Sequence, residues 1–121
     1  MAIKNIMETK FYKLAFDLAM KIFEISRSFP GEEMYSLSDQ IRRASKSVCT
    51  NLSEISRKRQ YPLHFISKAS DADMENCETQ TWIQFALACK YISQTIHDEL
   101  MNQSEEVGKL IHHMSNNPEK Y

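Results

Sequence analysis

The sequence contains little glycine, proline or valine. Glycine and proline together account for 2 + 3 = 5 of 121 residues, about 4% where an average protein has roughly 12%. Valine occurs twice. Because β-sheet proteins need frequent turn residues and favour β-branched side chains, this composition argues against an all-β fold. With 42% apolar and 26% charged residues, residues 1–121 are expected to form a single folded domain.

Long apolar runs and clustered cysteines are also missing. The longest apolar run covers residues 85–89, whereas a membrane-spanning helix needs about 20 residues. Residues 1–5 contain no apolar signal region, and the three cysteines form no Cys-x-x-Cys pair. We therefore expect a cytoplasmic protein with reduced thiols and no membrane contact. The net charge of −1 provides no global basic field for nucleic acid.

Apolar residues recur at alternating spacings of four and three, which is typical of helices packed at shallow angles in a bundle. Breaks in the pattern place helices near residues 8–28, 36–58, 62–92 and 96–115. Their short connections predict an all-α, antiparallel up-down-up-down four-helix bundle. The predicted core-facing seams are Phe11, Ala15, Leu18, Ile22, Ile25 and Phe29; Leu37, Ile41, Ala44, Val48, Asn51 and Ile55; Met74, Glu78, Thr81, Phe85, Ala88 and Ile92; and Ile96, Leu100, Gln103, Val107, Leu110 and Met114.

Two of these seams contain a polar residue, Asn51 in the second and Glu78 in the third. A buried carboxylate normally needs a cationic or hydrogen-bonding partner. We therefore predict that Glu78 pairs with Arg42 or Arg43 from the second helix. The alternatives are that Glu78 is exposed or that it acts as a catalytic acid.

The first helix has a second apolar face beside its seam, which includes Tyr12, Phe16 and Phe23. Each helix of a monomeric bundle needs one apolar stripe, so a second stripe with three aromatic residues predicts contact with another subunit. The alternative is a wide stripe that the bundle itself buries.

Positive charge is concentrated in one part of the chain. Residues 42–59 contain six cations and one carboxylate, a local charge of 6 − 1 = +5. Lys46, Arg57, Lys58 and Arg59 are therefore candidate phosphate-binding residues. Cations at a helix end also complement the helix dipole, which is a structural reason for the same pattern.

Several short motifs together are similar to those of the bacterial 23S rRNA intervening-sequence protein family. The motifs are Phe-Pro at 29–30, Glu-x-Tyr-x-Leu at 33–37, Gln-Ile-Arg-Arg-Ala at 40–44, Ser-Val at 47–48, Asn-Leu-Ser-Glu at 51–54, Glu-Thr-Gln-Thr-Trp at 78–82 and Lys-Tyr-Ile at 90–92. The resemblance implies a four-helix bundle that assembles as a homopentamer, and it implies no particular enzymatic activity. Some relatives are encoded inside insertions of the large ribosomal RNA gene, and a related branch binds nucleic acid as an accessory to a reverse transcriptase.

Enzymatic signatures are sparse. No histidine follows a glutamate at the Glu-x-x-His spacing of di-iron bundles, so we expect no metal and no cofactor. Arg59 and His64 resemble the Arg-x(4–6)-His element of helical HEPN ribonucleases, where the histidine acts on the 2′-hydroxyl and the arginine holds the phosphate. We therefore predict a non-enzymatic homo-oligomeric scaffold associated with RNA or a nucleic-acid-handling protein. The alternatives are a protein–protein adaptor without nucleic-acid binding and a HEPN-like ribonuclease.

Overall fold

Four α-helices account for most of the described chain. The structure is a computed structural model that describes residues 5–58 and 60–121. The helices are α1 (Lys10–Ser26), α2 (Leu37–Ile55), α3 (Pro62–Ala88) and α4 (Gln94–Asn116). These bounds confirm the predicted helices and the all-α class. The largest difference is at the end of α3, which stops at Ala88 and not near residue 92.

Local chemistry explains where the helices begin. Thr9 Oγ1 accepts a hydrogen bond from Tyr12 N at 3.3 Å at the start of α1. Ser93 Oγ accepts one from Ile96 N at 3.2 Å at the start of α4. Both side chains satisfy amides that the first turn leaves free. Pro62 occupies the first turn of α3, where its missing N–H costs nothing.

The end of α3 is a Schellman motif built on a lysine. Tyr91 N donates to Ala86 O and Lys90 N donates to Leu87 O, both at 2.9 Å. Lys90 has a φ of 65°, a left-handed conformation in which glycine is favoured because it has no Cβ. The chain therefore turns here into the short connection to α4 with some backbone strain at Lys90.

Replacing Lys90 by glycine is expected to stabilise the protein by about 1 kcal/mol, because the strain of a left-handed β-carbon is removed. Urea unfolding monitored by circular dichroism measures this change. Lys109→Gly, an exposed change inside α4, is the control and should destabilise by about 1 kcal/mol. An unchanged or lower stability for K90G would contradict the assignment of strain to this position.

The helices close into a bundle in which each packs against its neighbours in sequence and α1 also packs against α4. This arrangement agrees with the predicted up-down-up-down topology and places α1 diagonally opposite α3. The buried apolar residues form two clusters, one at each end of the bundle. No helix within 5–58 and 60–121 has the length and apolar character needed to cross a membrane.

A layer of buried polar side chains lies between the two apolar clusters. Asn76 Nδ2 donates to Ser104 O, and Ser104 Oγ donates back to Asn76 Oδ1, both at 2.8 Å. Gln80 Nε2 adds a hydrogen bond of 2.9 Å to Ser104 Oγ. Gly108 leaves the space that Asn76 needs, since a β-carbon there would lie 3.3 Å from Asn76 Nδ2. This network links α3 to α4 at a single register.

The predicted seam of α3 is wrong, whereas those of α1, α2 and α4 are largely buried as expected. The residues predicted to face the core on α3 are exposed, namely Met74, Glu78, Thr81, Phe85 and Ala88. The residues that do face it are Phe65, Ala69, Ala72, Asn76, Thr79, Ile83 and Ala86. The true seam has the same spacing of four and three but is made mostly of small and polar residues, and it lies on the opposite face of α3.

The predicted buried pair of Glu78 with Arg42 or Arg43 is wrong for the same reason. Glu78 lies on the exposed face of α3. Arg42 Nε donates to Ser26 Oγ at 2.6 Å, and Arg43 lies 3.5 Å from Asp39 on its own helix. Glu78 therefore needs no buried cation, because water solvates its carboxylate.

Candidate interaction surface

An apolar groove of about 440 Å³ runs along the outer surface between α1 and α2. The three residues predicted to contact another subunit, Tyr12, Phe16 and Phe23, all line it. Phe16 is 50% exposed and Phe23 40% exposed, so the bundle does not bury this second stripe. The residues that line this α1–α2 groove are Tyr12, Phe16, Ala19, Met20, Phe23, Arg42, Lys46, Cys49 and Thr50.

The floor of the groove follows from helical spacing on α1. Tyr12 and Phe16 are one turn apart and their rings stack with centroids 6.1 Å apart. Met20 and Phe23 continue the same face over the next two turns. The groove therefore presents a continuous apolar strip, which is uncommon on the surface of a monomeric protein.

The rim of the groove on the α2 side is basic. The Arg42 guanidinium lies 4.9 Å from the centroid of the Phe23 ring, a cation–π arrangement. Lys46 is exposed one turn further along. An apolar floor beside two cations suits a partner with apolar side chains and carboxylates.

Met20, Arg42 and Cys49 belong to this surface but are not among the predicted interface residues. Arg42 and Lys46 are four residues apart, so the sequence already places both cations on one face of α2. Which face of α2 adjoins the second stripe of α1 depends on packing, so the sequence pattern alone could not join the two.

Cys49 lies at the base of the groove with its thiol buried. Burial raises the pKa of this thiol to about 11, and its Sγ donates to Ser45 O at 3.7 Å. Cys77 and Cys89 are exposed. The thiolate is the reactive form. The buried Cys49 is therefore expected to react more slowly than the exposed Cys77 and Cys89.

Iodoacetamide at pH 8 is expected to label Cys89 readily and Cys49 only after unfolding in urea, because the buried thiol stays protonated. Peptide mapping by mass spectrometry distinguishes the two sites. Rapid labelling of Cys49 in the folded protein would contradict its burial.

The residues predicted to bind nucleic acid divide between two places. Lys46 lines the α1–α2 groove, whereas Arg57 and Lys58 lie in a 3-10 turn beyond the end of α2. The separation along α2 is roughly 17 Å at 1.5 Å per residue. Arg59 falls outside the described residues.

Two exposed rings lie beside the second of these places. Tyr61 and His64 have centroids 5.7 Å apart and both are exposed at the start of α3. The predicted Arg59–His64 element lies partly outside the described residues, because Arg59 is not among them. Among the residues that are described, no three His, Cys, Asp or Glu side chains form a group that could hold a metal.

The short motifs from the sequence have structural roles. Glu33 accepts hydrogen bonds from Leu37 N at 3.4 Å and from the Tyr91 hydroxyl at 2.7 Å, and the second bond raises the pKa of Tyr91 to about 12. Lys68 lies 2.6 Å from the Glu54 carboxylate and 3.2 Å from Asn51 Oδ1. The contact of Glu33 with Tyr91 joins the segment before α2 to the connection between α3 and α4, and the contacts of Lys68 join α2 to α3.

Comparison with known proteins identifies one family and similar solved structures. The family model of 23S rRNA-intervening sequence proteins matches residues 7–113. A crystal structure of a protein of unknown function from the S23 ribosomal protein family of Bacteroides thetaiotaomicron matches with a TM-score of 0.80 and 24% identity, over 88% of this chain and 95% of that chain. At this identity the second match shows the fold. No curated protein matches the chain.

Proposed function

The chain belongs to the 23S rRNA-intervening sequence protein family, and on that premise we propose that it is a cytoplasmic, non-enzymatic, homo-oligomeric scaffold associated with RNA or a nucleic-acid-handling protein. The observation that carries the proposal is the exposed α1–α2 groove. The family resemblance implies five copies in the assembly. The free cysteines Cys49, Cys77 and Cys89 suit a reducing compartment.

Self-association explains why large apolar side chains line an outer surface. Fully burying one such side chain contributes about 1.5–3 kcal/mol. Phe16, Met20 and Phe23 are each between 40% and 50% exposed. A partner that covers all three therefore adds a fraction of this free energy from each side chain to the stability of the complex. Repetition of the contact around an assembly would make the assembly stable although each interface buries a modest area.

Light scattering coupled to gel filtration tests the assembly. Phe16→Glu is expected to convert the wild-type oligomer to a monomer, because it places a charge in the groove without touching the core. Tyr35→Glu is the matched control, since Tyr35 is 89% exposed and does not line the groove. A wild-type protein that stays monomeric at high concentration would refute the scaffold.

The nucleic-acid part of the proposal rests on Arg57 and Lys58. Tyr61 N donates a hydrogen bond to Lys58 O at 2.9 Å, and the exposed rings of Tyr61 and His64 follow these cations in the chain. The combination offers phosphate contacts and a surface for base stacking. An oligomer would repeat the patch and raise its affinity by multivalency.

Fluorescence anisotropy with structured ribosomal RNA, single-stranded RNA and duplex DNA tests this part at about 50 and 200 mM salt. Replacing Arg57 and Lys58 by alanine should weaken binding and lower the salt slope by about 2. The control replaces Lys13 and Lys109, which are exposed on α1 and α4.

Absence of wild-type binding at low salt would favour a protein–protein adaptor. Cleavage of the RNA that is lost in His64→Ala would favour the ribonuclease alternative.

A further inference from the structure

The outer face of α3 carries an exposed stripe that combines apolar residues with Glu78 and Thr81. Its residues have the alternating spacing of four and three that usually marks a packed helix. Met74 is 67% exposed and Phe85 is 52% exposed, so the described residues leave more than half of each side chain uncovered. We name this set the α3 outer stripe, which comprises Met74, Glu78, Thr81, Phe85 and Ala88.

Acidic residues lie along one side of the stripe, and Glu78 belongs both to them and to the stripe. Helical geometry places Asp71, Glu75 and Glu78 along adjacent turns of the same face. Partial burial raises the pKa of Glu75, and the nearby carboxylates of Glu78 and Asp71 add to the rise. No ion pair joins any of these three carboxylates to a cation within the described part of the chain.

The α1–α2 groove has the complementary character. Its floor is apolar, and Arg42 and Lys46 lie on its rim, with Arg43 on the adjoining surface of α2. Because α1 and α3 lie diagonally across the bundle, the groove and the outer stripe face different directions. One chain therefore cannot bring its own stripe to its own groove, but two copies can.

We propose that the α3 outer stripe of one copy packs into the α1–α2 groove of the next copy, with its carboxylates facing the basic rim. This inference rests on the proposed self-association and specifies its contact. Two different surfaces meet, so the interface is heterologous, and repetition of the same contact closes into a ring when the rotation allows it. The alternative is an isologous contact in which two grooves face each other.

Mixing two variants that cannot self-associate distinguishes the heterologous contact from the isologous one. Phe16→Glu blocks the groove and Phe85→Glu blocks the stripe, and each variant alone is expected to be a monomer by light scattering. An equimolar mixture is expected to form a heterodimer, because one intact groove and one intact stripe remain. Thermal unfolding by circular dichroism should show that both variants fold, since Phe16 and Phe85 are half exposed.

Charge reversal provides a second test of the same contact. Lys46→Glu and Glu78→Lys are each expected to weaken association ~10-fold or more, since each places like charges together. The double variant should recover most of the loss. Glu105→Lys, an exposed acidic residue of α4, is the matched control and should associate like the wild type.

The outcomes separate this inference from the scaffold proposal. An F85E variant with the wild-type oligomer mass, or a mixture that stays monomeric, would overturn the heterologous contact while self-association stands. A monomeric wild type, measured first, would remove both. Heterodimer formation in the mixture together with charge-reversal recovery supports the contact.

Discussion

Replacing Asn76 by aspartate is expected to destabilise the protein by about 3–5 kcal/mol at pH 7. The side chain is buried at 2% exposure, and the change keeps its size. Asn76 Nδ2 now donates to Ser104 O, so an ionised carboxylate would set an unpaired negative oxygen against a carbonyl oxygen. The buried polar layer would lose a donor and gain a charge at once.

The penalty should depend on pH in a defined direction. Burial disfavours the charged form, so the pKa of the new carboxyl lies above its unfolded value of about 3.9. The stability difference from wild type is therefore small below that pH, where both states are protonated. It grows as the pH rises and levels off above the raised pKa.

Urea unfolding at several pH values measures this difference. Asn102→Asp is the control, because Asn102 is exposed on α4, and it should change stability by less than about 0.5 kcal/mol. Equal effects of N76D and N102D would contradict the buried network. Asn76 would then have to lie in contact with water.

Replacing Ile83 by alanine is expected to cost about 2–5 kcal/mol, whereas Phe85→Ala should cost less than about 1 kcal/mol. Ile83 is fully buried and Phe85 is 52% exposed. The two positions are separated by one residue on α3, so helix propensity and position in the helix are closely matched. The comparison therefore reports the rotation of α3 about its axis.

The measurement is urea unfolding at a protein concentration where both variants are monomeric, so that loss of a subunit contact does not add to the result. A larger effect at Phe85 than at Ile83 would mean that α3 faces the core with its outer stripe. In that case the interface proposed for that stripe would also fail.

The polar layer explains how a seam with few large apolar residues can hold a helix in place. Ala69, Ala72 and Ala86 allow α3 to approach its neighbours closely, and Asn76 fixes its register through Ser104. Satisfied polar networks in a core specify one arrangement more strongly than apolar contacts do. Met74 and Phe85 are thereby left on the outer face of α3, whereas Phe65 and Ile83 are buried.

The sequence by itself determined the number of helices, their approximate ends and the seams of α1, α2 and α4. On those helices the repeating apolar positions face the core, so a pattern within one helix suffices to identify the seam. It also identified the second stripe of α1 and, through its short motifs, the family. The interface role assigned to Tyr12, Phe16 and Phe23 stays a prediction.

Only the tertiary structure decided which face of α3 is buried, what Arg42 contacts and that Lys46 lies in the groove whereas Arg57 and Lys58 lie beyond the end of α2. The physical reason is common to all three. The hydrogen bonds of Asn76 with Ser104, and of Arg42 with Ser26, join different helices. The free energy of such bonds depends on distances between elements, and no periodicity along a single helix contains that information.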